Sequence, residues 1–175
     1  MFLRSWHRPK GWSAKRQVIT RDNQPLDEAE AFIKAFAEKT GVMMEHESTT
    51  KPGKGSAYYI PSRHLVQVPP REEFKNTEAY VATCFHELVH STAKEMGRKA
   101  SEEDTARVSY SKEEIVAEFG AALLCRQFGI TSEDDNTAAY LQGWSAAIKE
   151  NPDWLINGAN AAQKAVDYMN EIVAG

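Results

Sequence analysis

Cysteine is scarce in this chain: Cys84 and Cys125 are the two in 175 residues. Two thiols make no disulfide framework, so the small secreted scaffold class is excluded. Long apolar runs are missing as well. No stretch approaches the roughly 18 continuous apolar residues of a membrane helix. The opening residues Met1-Phe2-Leu3-Arg4-Ser5-Trp6-His7-Arg8-Pro9 lack the apolar core and small-residue cleavage site of a secretory signal. Together these absences predict a cytoplasmic protein without a membrane partner. Nor is there a large excess of one charge. A formal charge of -4 and a pI near 5.8 argue against a protein held mainly by nucleic-acid phosphates.

What is present supports a packed fold. Hydrophobic residues make up 42% and charged residues 26% of the chain, which suits one folded domain with an appended arm. Residues 1–24 form that arm: Arg4, Arg8, Lys10, Lys15, Arg16 and Arg21 all precede the first acid, Asp22, with Trp6 and Trp12 among them. Charge and stacking of this kind can follow a nucleic-acid strand. So short a segment predicts at most weak contact, and a plain basic arm or edge strand is the simpler reading.

From residue 25 to 175 the punctuation is that of a domain. Pro25 suits a first helical turn, Leu26, Ala29, Ile33, Phe36 and Ala37 share a stripe, and Gly41 stops the helix. Residues 42–46, 57–60 and 64–68 read as three strands around the turn-rich segment 51–55. Helices follow: one capped by Asn76 or Thr77 and running to about Met96, one from about Ser111 to Phe128, a third from near Asn136 and a fourth after Asn151-Pro152. The expected fold is α+β, mostly helical, with a small amino-terminal antiparallel sheet.

The segment that carries chemistry is His86-Glu87-Leu88-Val89-His90. Residues four apart share a helix face, so His86 and His90 can aim two imidazoles at one ion. Neutral imidazole suits Zn²⁺ and leaves room for a third protein ligand and a water. Glu87 stands beside them as a base for that water. In a chain with five histidines, chance produces this pattern about once in a hundred sequences. The plain alternative is two histidines on a solvated face. Val81, Phe85, Leu88 and Thr92 supply a separate stripe for the core, which leaves the histidines free to face a neighbour.

A third ligand has to come from another element, and Glu113, Glu114 and Glu118 are available. Glu114 and Glu118 share a face, so one can bind metal while the other holds a histidine's remaining nitrogen. Spacing does not choose between these two and puts Glu113 behind them. Ser111-x-x-Glu114 is also a capping box, in which Glu114 would satisfy only its own helix. Tyr110, just ahead, can stabilise an oxyanion or simply pack at the helix entrance. Cys84 and Cys125 read as small buried residues. His46 and His64 read as surface residues or as a peptide-binding strand edge, and Trp144 and Trp154 as core or groove lining.

Several separated motifs together resemble a known family. Tyr58-Tyr59-Ile60-Pro61-Ser62-Arg63, Val68-Pro69-Pro70-Arg71-Glu72-Glu73-Phe74, the histidine motif, and Glu113-Glu114-Ile115-Val116-Ala117-Glu118-Phe119-Gly120-Ala121-Ala122 occur in one order. They are followed by Ala139-Tyr140-Leu141 with Trp144, and by Ala161-Ala162-Gln163-Lys164-Ala165 with Tyr168. From about Pro25 to Met169 this resembles the zincin-like domain of ArdC-type antirestriction proteins. The resemblance implies a gluzincin-like site with Zn²⁺ on His86, His90 and Glu114, with Glu118 held for the histidine contact. It implies a zinc metallopeptidase acting on a protein or peptide, in antirestriction or in mobile-element or phage defence evasion. That family usually carries an amino-terminal single-stranded-DNA-binding domain, for which residues 1–24 are too short. Two other readings compete: a non-catalytic, zinc-stapled protein that binds DNA or a defence protein, and a repressor-cleaving regulator resembling the ImmA and IrrE group. The Phe119-Gly120-Ala121-Ala122 form suits the antirestriction group better.

Overall fold

A computed structural model describes residues 24, 26–48, 57–98, 106–130 and 151–175 of the chain. The basic arm apart from Gln24, Pro25, the turn at 51–55, the third helix with Trp144, and most of the polar connection after Arg98 lie outside the described residues.

Helix α1 spans Asp27–Thr40, with Asp27, Glu28 and Glu30 in its first turn, where acids complement the helix dipole. Its buried stripe is Ala29, Phe32, Ile33, Phe36 and Ala37. Gly41, at φ 74°, closes it by donating to Ala37 O at 2.9 Å.

Three short strands follow: β1 Met43–His46, β2 Tyr58–Ile60 and β3 Leu65–Val68, in the order β1-β3-β2. β2 pairs antiparallel with β3, as expected, but β1 pairs parallel with β3. The sheet is therefore mixed, which corrects the all-antiparallel expectation. The reason is connectivity: β1 sits beside β3 and not beside β2, and the chain from Glu47 to His64 is long enough for a parallel crossover. His64 precedes β3 in the left-handed conformation, at φ 48°. All four β3 residues are buried, Gln67 included, because β3 is the central strand.

Helix α2, Thr77–Ser91, starts on Asn76, whose side chain accepts from the Ala79 amide at 3.0 Å. It ends five residues short of the expected Met96. The Ser91 and Thr92 hydroxyls bond back to Leu88 O and Val89 O at 2.6 and 2.7 Å, and the chain tightens into turns up to Gly97. Helix α3 spans Ala106–Gln127, and helix α4 spans Asp153–Ala174. Among the described residues, no helix is long and apolar enough to cross a membrane.

The core lies where α2 meets α3, the sheet and α1, with α4 closing the far side of α3. Phe85 stacks on Phe128 at 5.7 Å, and Phe32 meets both rings edge-on. Two glycines set helix spacing. A β-carbon on Gly120 of α3 would lie 2.8 Å from Val89 Cγ2 of α2, and one on Gly158 of α4 would collide with Ile115 Cγ2 of α3. The α2–α3 approach that Gly120 permits is the one that brings the histidine helix up to the glutamates.

Candidate metal centre

Helix α2 is buried on most of its circumference, with Val81, Cys84, Phe85, Leu88 and Val89 fully enclosed. The anchored faces fix its rotation, and His86 and His90 are left pointing at α3. Their Nε2 atoms lie 3.1 Å apart. Glu114 reaches across from α3, with Oε1 3.3 Å from His90 Nε2 and Oε2 3.7 Å from His86 Nε2. The three residues offer ligand atoms within 4.8 Å of one another.

These separations suit a small ion. Ligands on about 2.0–2.1 Å bonds in tetrahedral array are about 3.3 Å apart. The donor chemistry points the same way, because both Nδ1 atoms face carboxylates. His86 Nδ1 lies 3.3 Å from Glu118 Oε1, and His90 Nδ1 lies 3.3 Å from Glu113 Oε1. A carboxylate acceptor favours the proton on Nδ1 and turns the Nε2 lone pair outward. Two lone pairs and a carboxylate then converge on one point, an arrangement that calls for a cation.

The electrostatics agree. Burial works against the charged form of His90, but hydrogen bonds to Glu113 and Glu114 outweigh it and hold the imidazole up at about 9. Burial likewise opposes ionisation of Glu114, yet the bond to His90, the charge of both imidazoles and a bond from Tyr110 keep its carboxyl below the ordinary range. With no ion, a proton on His90 supplies the positive charge that the cluster demands.

The sequence pattern of MPTase-PolyVal, the zincin-like metallopeptidases, matches residues 28–162. The chain belongs to this family. Crystal structures of the antirestriction ArdC protein from plasmid R388 are similar to it. The Mn(II)-bound form is 30% identical with a TM-score of 0.68, covering 89% of this chain and 56% of that one. The metal-free form is 31% identical with a TM-score of 0.65, over 89% and 53%. The DNA primase TraC of Escherichia coli is 28% identical over 148 residues, which is 83% of this chain and 14% of TraC. Protein y4eC of Sinorhizobium fredii is 28% identical over 162 residues, 91% of this chain and 50% of that protein. The chain thus spans from a seventh to about half of the length of these relatives.

Within this zincin-like framework the remaining residues take distinct positions. Glu87 is 6% exposed and is not among the convergent ligands; its carboxylate accepts the Tyr59 amide of β2 while still feeling the charges of His86, His90 and Glu114. Burial pushes its carboxyl up, against the pull of His86 and His90. Ser111 lies inside α3, so it caps nothing, and the capping box that competed for Glu114 does not form. Tyr110 also lies inside α3 and not at its entrance; it is 65% exposed, with its hydroxyl on Glu114. Cys84 is enclosed beside Tyr80, and burial pushes its thiol up to about 12. His64 Nδ1 pairs with the Tyr59 hydroxyl at 2.9 Å, while His46 sits on β1 near Tyr80, away from the cluster. Trp154 lines a cavity beyond α3, with Lys112 over its ring at 5.2 Å.

Three functional contacts escaped the sequence reading. Glu113 ranks last there as a ligand, yet it touches His90. Arg98, directly after Gly97, grips Glu113 with two bonds. The Tyr59 amide on Glu87 depends on how β2 lies over α2, which no spacing reports.

Proposed function

We propose that this chain is a zinc-dependent peptidase that hydrolyses a peptide bond in a protein target. The observation that carries the reading is Glu87: a buried carboxylate next to the convergent His86, His90 and Glu114 but not among them. A site that only stapled two helices together would have no use for it. A bound divalent ion would supply a Lewis acid and lower the pKa of a water. His86, His90 and Glu114 would hold that ion. Glu118 keeps the His86 ring oriented. Glu87, its carboxyl raised by burial towards the range useful for proton transfer, takes a proton from the attacking water and passes it to the leaving amine. The Tyr59 amide fixes which way the Glu87 carboxylate faces. Tyr110, exposed and with its hydroxyl on Glu114, is the residue we assign to a developing oxyanion. Zinc is favoured because two imidazoles and one carboxylate are a zinc donor set, although the ArdC relative was crystallised with Mn(II). That same relative's antirestriction role makes evasion of restriction the process we assign.

The test is Glu87→Gln, which keeps shape and removes the proton acceptor. Zinc content and fold are expected to be unchanged, while target cleavage falls about 10²–10⁴-fold. A zinc-loaded Glu87→Gln protein with full effect in a restriction-protection assay would instead establish a non-catalytic binding protein. Metal content is measured in the same preparation, because activity lost together with zinc says nothing about Glu87.

A further inference from the structure

We propose that Arg98 and Glu113 are a positioning pair that fixes the His90 ring for its ion; the inference rests on the metal-centre reading above. Its origin is local. Gly97, at φ 65°, turns the chain back beneath α2, and the Arg98 amide donates to Ala93 O at 2.8 Å. The Arg98 side chain then runs along the end of α2, only 12% exposed. Nη2 donates to Val89 O at 2.8 Å, and Nη1 donates to Thr92 Oγ1 at 2.9 Å. The guanidinium is thereby anchored on the helix that carries His90.

From that anchor it grips α3. Nε donates to Glu113 Oε2 at 3.0 Å and Nη2 to Glu113 Oε1 at 2.8 Å. Glu113 Oε1 in turn lies 3.3 Å from His90 Nδ1. A lone glutamate carries several rotatable bonds and would hold an imidazole loosely. A two-point fork from a planar guanidinium removes that freedom, which a lysine's point charge could not do. The contacts close a loop: α2 to Arg98, Arg98 to Glu113 on α3, Glu113 to His90, and so back to α2. This gives the doublet Glu113-Glu114 a division of labour, one carboxylate for the metal and its neighbour for the ring.

The same pair lines a cavity of about 640 Å³ with Lys112, Val116, Trp154 and Asn157. A small planar cation can therefore reach the place that the Arg98 guanidinium fills, which makes chemical rescue possible. The experiment measures zinc affinity by competition with a chromophoric chelator, on the full chain, with fold checked by circular dichroism. Glu113→Gln and Arg98→Ala are each expected to weaken zinc binding about 10–100-fold. Low-millimolar guanidinium is expected to restore affinity to Arg98→Ala and to leave wild type and Glu113→Gln unmoved. Unchanged affinity in Arg98→Ala, or a loss that guanidinium does not repair, overturns the proposal and assigns the arginine to helix-end packing. If Arg98→Ala does not fold, Arg98→Lys replaces it, and wild-type affinity in that variant overturns the fork. The metal reading fails separately, on wild type that binds no zinc or on His90→Ala that binds it as tightly as wild type.

Discussion

At the scale of single residues, the centre is a set of glutamates sorted by which nitrogen they meet. Glu114 faces the two Nε2 atoms, whereas Glu118 and Glu113 face Nδ1 of His86 and His90. Removing a ligand and removing a ring support should therefore differ in size. Glu114→Ala is expected to empty the site at micromolar free zinc, and Glu118→Ala to cost about 10–100-fold in affinity, both read by metal analysis and chelator competition. Release of the metal by Glu118→Ala alone would transfer the ligand role to Glu118. His90 adds a pH dependence with a defined sign. Its metal-free imidazole is held up at about 9. An ion has to displace that proton, so zinc affinity is expected to rise with pH until about 9, with proton release detected by calorimetry in buffers of differing ionisation enthalpy. For the metal-free fold the sign is opposite. A histidine whose folded pKa is raised contributes stability that is complete below its ordinary value of 6.5 and is lost as pH climbs through about 9.

At the scale of elements, the decisive contact is the close crossing of α2 and α3 at Val89 and Gly120. Val89 is fully buried and β-branched, so it cannot swing aside for a new methyl group. Gly120→Ala is expected to lose about 1–3 kcal/mol by overpacking, seen as a lower Tm. Because the same crossing carries Glu114 to the histidines, zinc affinity should fall in parallel. Gly41→Ala, where a β-carbon meets open space but φ is 74°, is the control: it strains a turn and should leave zinc affinity alone. If Gly120→Ala loses stability while holding zinc as wild type does, helix spacing and site geometry are uncoupled.

At the scale of the whole molecule, the candidate ligands join α2 to α3, and α3 in turn packs on α4. An ion that binds the native arrangement and finds scattered ligands in the unfolded chain stabilises by mass action, about 2.7 kcal/mol at a hundredfold excess over Kd. Chelation is accordingly expected to lower Tm reversibly, and restored zinc to recover it. A melting curve indifferent to complete metal removal would mean that the centre sits on a framework the packed core already holds.

How much of this was legible in the sequence follows from the range of each interaction. The start of α2 at Asn76 or Thr77, the stop of α1 at Gly41 and the buried stripe of α1 are set by neighbours within a few residues, and they could be read directly, whereas the early end of α2 at Ser91 could not. So could the pairing of His86 with His90 be read, since a four-residue step on one helix fixes their common face. The start of α3 was misplaced because a capping box at Ser111 looks the same whether or not helix precedes it, and the parallel β1–β3 pair was hidden because strand order is not a local property. Above all, spacing along α3 could not rank Glu113, Glu114 and Glu118. Which of them meets Nε2 and which meets Nδ1 depends on the rotation and separation of two packed helices, and those are set by Gly120 against Val89 and by Arg98 folding back under α2.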